Sequence, residues 1–162
     1  MILADVNVLV YAFDADAAQH ASYAAWLERA LAGPEDFALL DTVLSGFVRI
    51  VTHPKIMPRP APTGQAVEFV NALIGAPSAR WLPASGALWG TFAQLAADDP
   101  ALKANLVPDA YLASAAIAHG ARFATADRGF ARYPGLNWFD PAVSAGYVSR
   151  KRAGTKQTGT KQ

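Results

Sequence analysis

The 162-residue chain has no cysteine. That excludes a disulfide framework, a thiolate metal site and a cysteine nucleophile, and it suits a reducing compartment. Histidines are few, and His20, His53 and His119 stand at spacings that match no zinc site. No apolar run approaches the roughly 20 residues needed to span a bilayer. The opening residues, Met1-Ile-Leu-Ala-Asp5, carry no basic leader, so a cytoplasmic protein with no membrane partner is expected. No segment repeats, which excludes a solenoid.

What is present is enough for one core: 52% of the residues are hydrophobic and 10% aromatic, in a length that suits a single domain. The net charge of +1 conceals an asymmetry. Arg150, Lys151, Arg152, Lys156 and Lys161 lie in the last thirteen residues, so residues 1–149 hold nine basic and thirteen acidic side chains, a net of −4. Gly154 to Gln162 has no apolar anchor, and a disordered basic tail is expected from about residue 150. The expected division is a domain over 1–141 and an extension over 142–162.

Periodicity organises the domain around residues 107–130. Pro108 closes a loop, Asp109 sits in the first turn of a helix where free amides favour a carboxylate, and Gly120 stops that helix. Ala121 to Thr125 reads as an interior strand that delivers Asp127 before Arg128-Gly129 turns the chain. Upstream, Met1 to Ala4 is a strand delivering Asp5, followed by a buried helix from about Asn7 to Phe13 and another over 20–32. Phe37 to Leu40 is a strand, Asp41 or Thr42 caps a helix over 43–52, and residues 53–64, with four prolines, form a semi-rigid loop. Helices over 65–74 and 87–97 flank a short strand over 79–82, and a last strand covers 136–139. This alternation predicts an α/β fold with a mainly parallel central sheet covered by helices on both faces.

Asp5, Asp109 and Asp127 fall at equivalent strand-end and helix-start points, where open α/β sheets bind ligands. Three carboxylates in one crevice raise one another's pKa unless a cation neutralises them. Oxygen-only donors favour Mg²⁺ or Mn²⁺, which would activate water against a phosphodiester. Asn7 and Thr125 are candidates to orient a carboxylate. Lys55, Arg59 and Arg128 are candidate phosphate contacts. Trp26, Trp81, Trp89 and Trp138 are too widely spread for a base-stacking platform and are expected in the core, although Trp26, Trp81 and Trp89 also offer material for a symmetric patch.

These residues resemble the PIN-domain ribonucleases, and within them the VapC-like toxins of bacterial toxin–antitoxin pairs. The resemblance is carried by Ala4-Asp-Val-Asn-Val-Leu-Val-Tyr-Ala12, Leu44-Ser-Gly-Phe-Val-Arg-Ile-Val-Thr-His-Pro54, Pro108-Asp-Ala-Tyr-Leu-Ala113 and Ala124-Thr-Ala-Asp-Arg-Gly-Phe130, in that order. It implies a PIN-like fold, metal-dependent endoribonuclease activity with Asp5, Asp109 and Asp127 as catalytic and metal-site residues, RNA as substrate, a small antitoxin as partner and a homodimer. The family often carries an acid directly before the Phe of the second segment, where this chain has Gly46; Ser45 could at best hold water at the metal. Two other readings stand beside it. One is an RNA- or protein-binding module with weak or lost catalysis, and the other is a metal-dependent phosphohydrolase.

Overall fold

The computed structural model describes residues 1–143. The expectations for the basic tail from about residue 150 lie outside these residues. Five short strands, β1 (Ile2–Ala4), β2 (Phe37–Leu39), β3 (Ala79–Trp81), β4 (Arg122–Ala124) and β5 (Trp138–Phe139), form one sheet in the order β3-β2-β1-β4-β5. Every pairing is parallel. The helices α1 (Val6–Phe13), α2 (His20–Ala32), α3 (Asp41–Val51), α4 (Thr63–Ile74), α5 (Gly86–Asp98) and α6 (Leu106–Ala118) supply the crossovers and flank the sheet, as parallel strands require.

The central strands are apolar because both their faces are covered. Ile2, Leu3 and Ala4 of β1 and Phe37, Ala38 and Leu39 of β2 are all buried, whereas the edge strand β3 is partly exposed. Phe13, Phe47 and Phe69 meet in a cluster with ring centroids 4.9–5.3 Å apart, locking α1, α3 and α4 together. Trp26 of α2 reaches Phe139 of β5 at 5.9 Å. Gly120, at φ +60°, ends α6 in the left-handed region that disfavours other residues. His119 Nδ1 lies 2.9 Å from the Ala115 carbonyl in the last turn.

Several expectations are corrected. Asp41 is the first residue of α3, not its cap: Leu40 is the N-cap and no side chain caps it. Helix α6 begins at Leu106, so Pro108 lies inside the first turn, where its missing N–H costs no helical bond. The turn after Asp127 is a 3-10 helix over Arg128–Arg132. Trp81 and Trp89 are not core residues, being 51% and 62% exposed, while Trp26 is buried and cannot join a surface patch.

Candidate active site

The chain runs from β1 to β2 to β3 in one direction, then returns to place β4 on the other side of β1. This reversal opens a crevice at the C-terminal ends of β1 and β4, the place where a doubly wound sheet offers strand ends to a ligand. Asp5 follows β1 directly, and its N–H donates to the Ala124 carbonyl at 2.9 Å, extending the ladder by one bond. Thr125 follows β4 directly and is fully buried. Parallel register therefore sets Asp5 and Thr125 side by side although 120 residues separate them.

A small network then aims the carboxylate. The Thr125 hydroxyl donates to Asp5 Oδ2 at 2.7 Å and accepts from Asn7 Nδ2 at 3.1 Å and from the Asp127 amide at 3.0 Å. Asn7 Nδ2 also donates to Asp5 Oδ2 at 2.7 Å, and its Oδ1 accepts from the Ala126 amide at 3.2 Å, which fixes the orientation of the side-chain amide. Asp127 Oδ1 accepts from the Gly129 amide at 2.7 Å, capping the 3-10 helix, and the side chain stands at the surface. Asp109 is half-buried in the first turn of α6.

Burial pushes the Asp5 carboxyl up to about 6; the Thr125 hydrogen bond opposes this and the charge of Asp109 adds to it. Asp109 is also raised, chiefly by burial and then by Asp127, with Arg132 acting the other way. Arg132 is itself held by Asp99 at 2.7 Å. Asp109 thus raises Asp5 and Asp127 raises Asp109, and a cation placed among them would relieve the crowding. Among the described residues no group of three or more His, Cys, Asp or Glu side chains converges as a ready-made ligand set. The oxygen-only donors nevertheless fit a hard ion such as Mg²⁺ or Mn²⁺, which binds through one or two carboxylates and keeps water in its remaining positions.

Asp5 and Asp109 line one cleft of about 660 Å³ together with Val6 of α1, Thr42, Gly46 and Arg49 of α3, and Trp89 and Phe92 of α5. The structure brings Asn7 and Thr125 to Asp5 but treats the other candidates differently. The Ser45 hydroxyl donates to the Asp41 carbonyl of its own helix at 2.7 Å, and Ser45 does not line the cleft. Neither do Lys55 and Arg59. They follow the C-terminal end of α3, and Arg59 pairs with Asp16 just beyond the C-terminal end of α1, whereas Asp5 stands at the N-terminal end of α1. The loop therefore belongs to the opposite end of these helices. Arg128 is exposed at the start of the 3-10 helix, directly after Asp127. Arg49, Thr42 and Trp89 were absent from the sequence-based site. Arg49 and Thr42 share a face with Gly46 at helical spacing, a signal present in the sequence but indistinguishable there from an ordinary solvated face.

The family profile described as PIN domain matches residues 2–136. The chain is 43% identical over 141 residues to VapC ribonuclease Mb2897 of Mycobacterium bovis, covering 87% of this chain and 95% of that protein. It has the same identity and coverage with ribonuclease VapC43 of Mycobacterium tuberculosis. Ribonuclease VapC25 of the same organism is 31% identical over 144 residues, covering 88% of this chain and all of the relative. Among solved structures, that of VapBC2 from Rickettsia felis bound to a DNA fragment from its promoter superposes with a TM-score of 0.65 at 21% identity, over 86% of this chain and 98% of the other. That last likeness concerns the fold alone.

Proposed function

The chain belongs to the PIN-domain family, in its VapC group, and on that premise we propose that it is a metal-dependent endoribonuclease acting as the toxin of a toxin–antitoxin pair. The observation that carries this reading is geometric: at the switch point of the sheet Thr125 and Asn7 hold the buried Asp5 carboxylate, the Thr125 hydroxyl also takes the Asp127 amide, and Asp109 shares the cleft with Asp5, an arrangement that favours a bound cation and a phosphate ester beside it. Asp5 and Asp127 are the principal metal ligands in this proposal, and Asp109 binds metal or positions the attacking water. Thr125 and Asn7 hold Asp5 in place through Oδ2. Mg²⁺ or Mn²⁺, when bound, would neutralise the carboxylates, polarise a phosphoryl oxygen and make water a stronger nucleophile. Water adding to phosphorus would form one P–O bond as the P–O bond to one ribose breaks, the proton that water loses passing to solvent and the leaving ribose oxygen taking one up from solvent.

Gly46 leaves the α3 side of the cleft without a carboxylate, so a second metal would be bound more weakly than the first. The catalytic unit is residues 1–141. Among the described residues no helix is long and apolar enough to cross a membrane. We further propose a homodimer and a small antitoxin partner, whose Arg or Lys would pair with the carboxylates and keep RNA out. The exposed Trp81, Val67 and Ile74 supply apolar surface for such contacts.

The test is cleavage of an RNA panel by the purified full chain with Mg²⁺, Mn²⁺ or chelator, beside phosphomonoesters. Metal-dependent cutting of RNA that Asp5→Asn abolishes is the expected result. RNA bound but never cut would favour the binding-module reading that Gly46 encourages, and turnover of phosphomonoesters alone would replace the nuclease reading. Copurification with the product of an adjacent short reading frame, followed by sizing of the complex, tests the partner. A monodisperse monomer that neither binds that product nor loses activity beside it refutes the partner proposal.

A further inference from the structure

Beyond its acids the cleft runs along α3, and there its chemistry changes. Gly46 and Arg49, three residues apart on α3, both line it, and Arg49 is the sole cation among the lining residues. Arg59, Arg80, Arg122 and Arg132 are each paired with a carboxylate; Arg49 has no such pair among the described residues. Arg49 lies one turn from Gly46 on the same face of α3, and both look into the cleft that Asp5 also lines. The space beside Gly46 is open: a Cβ added there would meet nothing nearer than Val6 Cγ2 at 3.8 Å. A carboxylate at position 46 would be the natural (i, i+3) partner of Arg49, and its absence leaves the guanidinium without an internal anion.

The opposite wall is aromatic. Trp89, Phe92 and Tyr111 line the same cleft. The Trp89 ring lies 5.2 Å from that of Phe92 at an interplanar angle of 31°, and Trp89 is 62% exposed. Phe92 in turn meets Tyr111 edge-on at 6.3 Å. An indole supported from behind and open in front is a stacking surface for a flat ring. A guanidinium without an anion is a fork suited to a phosphate.

We propose that this part of the cleft is a nucleotide subsite. Arg49 holds the phosphate next to the one that is cut, and Trp89, backed by Phe92, stacks the base of that nucleotide. The inference rests on the ribonuclease reading. It makes Arg49, not the loop cations Lys55 and Arg59, the residue that draws an anionic polymer to an acidic centre.

The experiment uses the full chain and a short single-stranded RNA of mixed sequence. Binding is followed by fluorescence anisotropy, cleavage with Mn²⁺ by KM and kcat over a salt series, and the metal site by Mn²⁺ calorimetry. Arg49→Gln is expected to raise Kd and KM about tenfold, the weight of one charge-assisted contact, with kcat and Mn²⁺ affinity little changed. It should reduce the salt slope by about 0.7, the share of one single-strand phosphate, and Arg49→Lys should recover part of the loss. Trp89→Ala is expected to raise KM roughly 5- to 150-fold, the range for one stacked base, while Trp89→Phe keeps most of the affinity. On an abasic oligonucleotide, wild type and Trp89→Ala should converge. Unchanged affinity and salt slope in Arg49→Gln would overturn the proposal. So would variants that bind RNA normally but change the size of the protein, because the face would then be a protein contact. A wild type that cuts no RNA removes the ribonuclease reading, and the anisotropy series still decides whether Arg49 and Trp89 hold RNA.

Discussion

The Thr125 hydroxyl donates its one proton to Asp5 Oδ2 at 2.7 Å and with its lone pairs receives the Asn7 side chain and the Asp127 amide. A single oxygen atom thus couples the end of β1 to the end of β4 and ties two of the three acids to one frame. Thr125→Val keeps the shape and removes all three bonds. Leaving these buried partners unmet costs about 1–3 kcal/mol, so the variant should melt earlier and bind Mn²⁺ more weakly. Thr125→Ser should retain most of both, and thermal melts beside Mn²⁺ calorimetry check the pair.

The Asp5 carboxyl carries a pH dependence of defined sign. Its value rises from 3.8 in the free residue to about 6 in the metal-free fold. Well below pH 3.8 both states hold the proton and the burial costs nothing. Between about 4 and 6 the unfolded chain ionises first, so this group's contribution to stability is lost as pH rises, levelling near 3 kcal/mol. Denaturant unfolding with chelator from pH 4 to 7.5 should therefore show Asp5→Asn gaining on wild type as pH rises. A constant difference across the range would show that Asp5 titrates normally.

Gly46→Glu should be accommodated, since the added Cβ meets only Val6 Cγ2 at 3.8 Å. Replacing a helix-interior glycine with a better helix former contributes up to about 1 kcal/mol, and a carboxylate in the cleft should strengthen Mn²⁺ binding. It should also engage Arg49 and weaken RNA binding, so metal and RNA affinities are expected to move in opposite directions. Calorimetry and anisotropy on the same preparation separate the two.

Replacing Lys55 and Arg59 together with Gln should leave the salt slope of RNA binding unaltered, because Arg59 is paired with Asp16 and the loop stands away from the cleft. An exposed pair of this kind contributes little to stability, so the melting temperature should scarcely move. A slope reduced by two phosphates' worth would place the loop on the RNA path after all.

How much of this was legible beforehand depended on whether a residue's position follows from local chain grammar. The apolar runs before Asp5 and before Asp127 announce buried strands that end in acids, and Gly120 announces the end of α6. The helix boundaries moved by a residue or more where a cap is weak, as at Leu40 and Asn105, neither of which makes a side-chain capping bond. Trp89 was misjudged because a tryptophan on an amphipathic helix reads the same whether its face meets a core or a cleft.

The sequence by itself determined the alternating α/β order, the parallel sheet and the strand-end placement of the acids, because periodicity, glycine, proline and apolar runs act over a few residues at a time. Only the tertiary structure decided that Thr125 grips Asp5, that Gly46 faces Val6, that Arg49 and Trp89 share a cleft with Asp5 and Asp109, and that Arg59 turns to Asp16. Those are contacts between segments brought together by strand order and helix packing, and side-chain charge or shape along the chain carries no record of which distant partner the fold will supply.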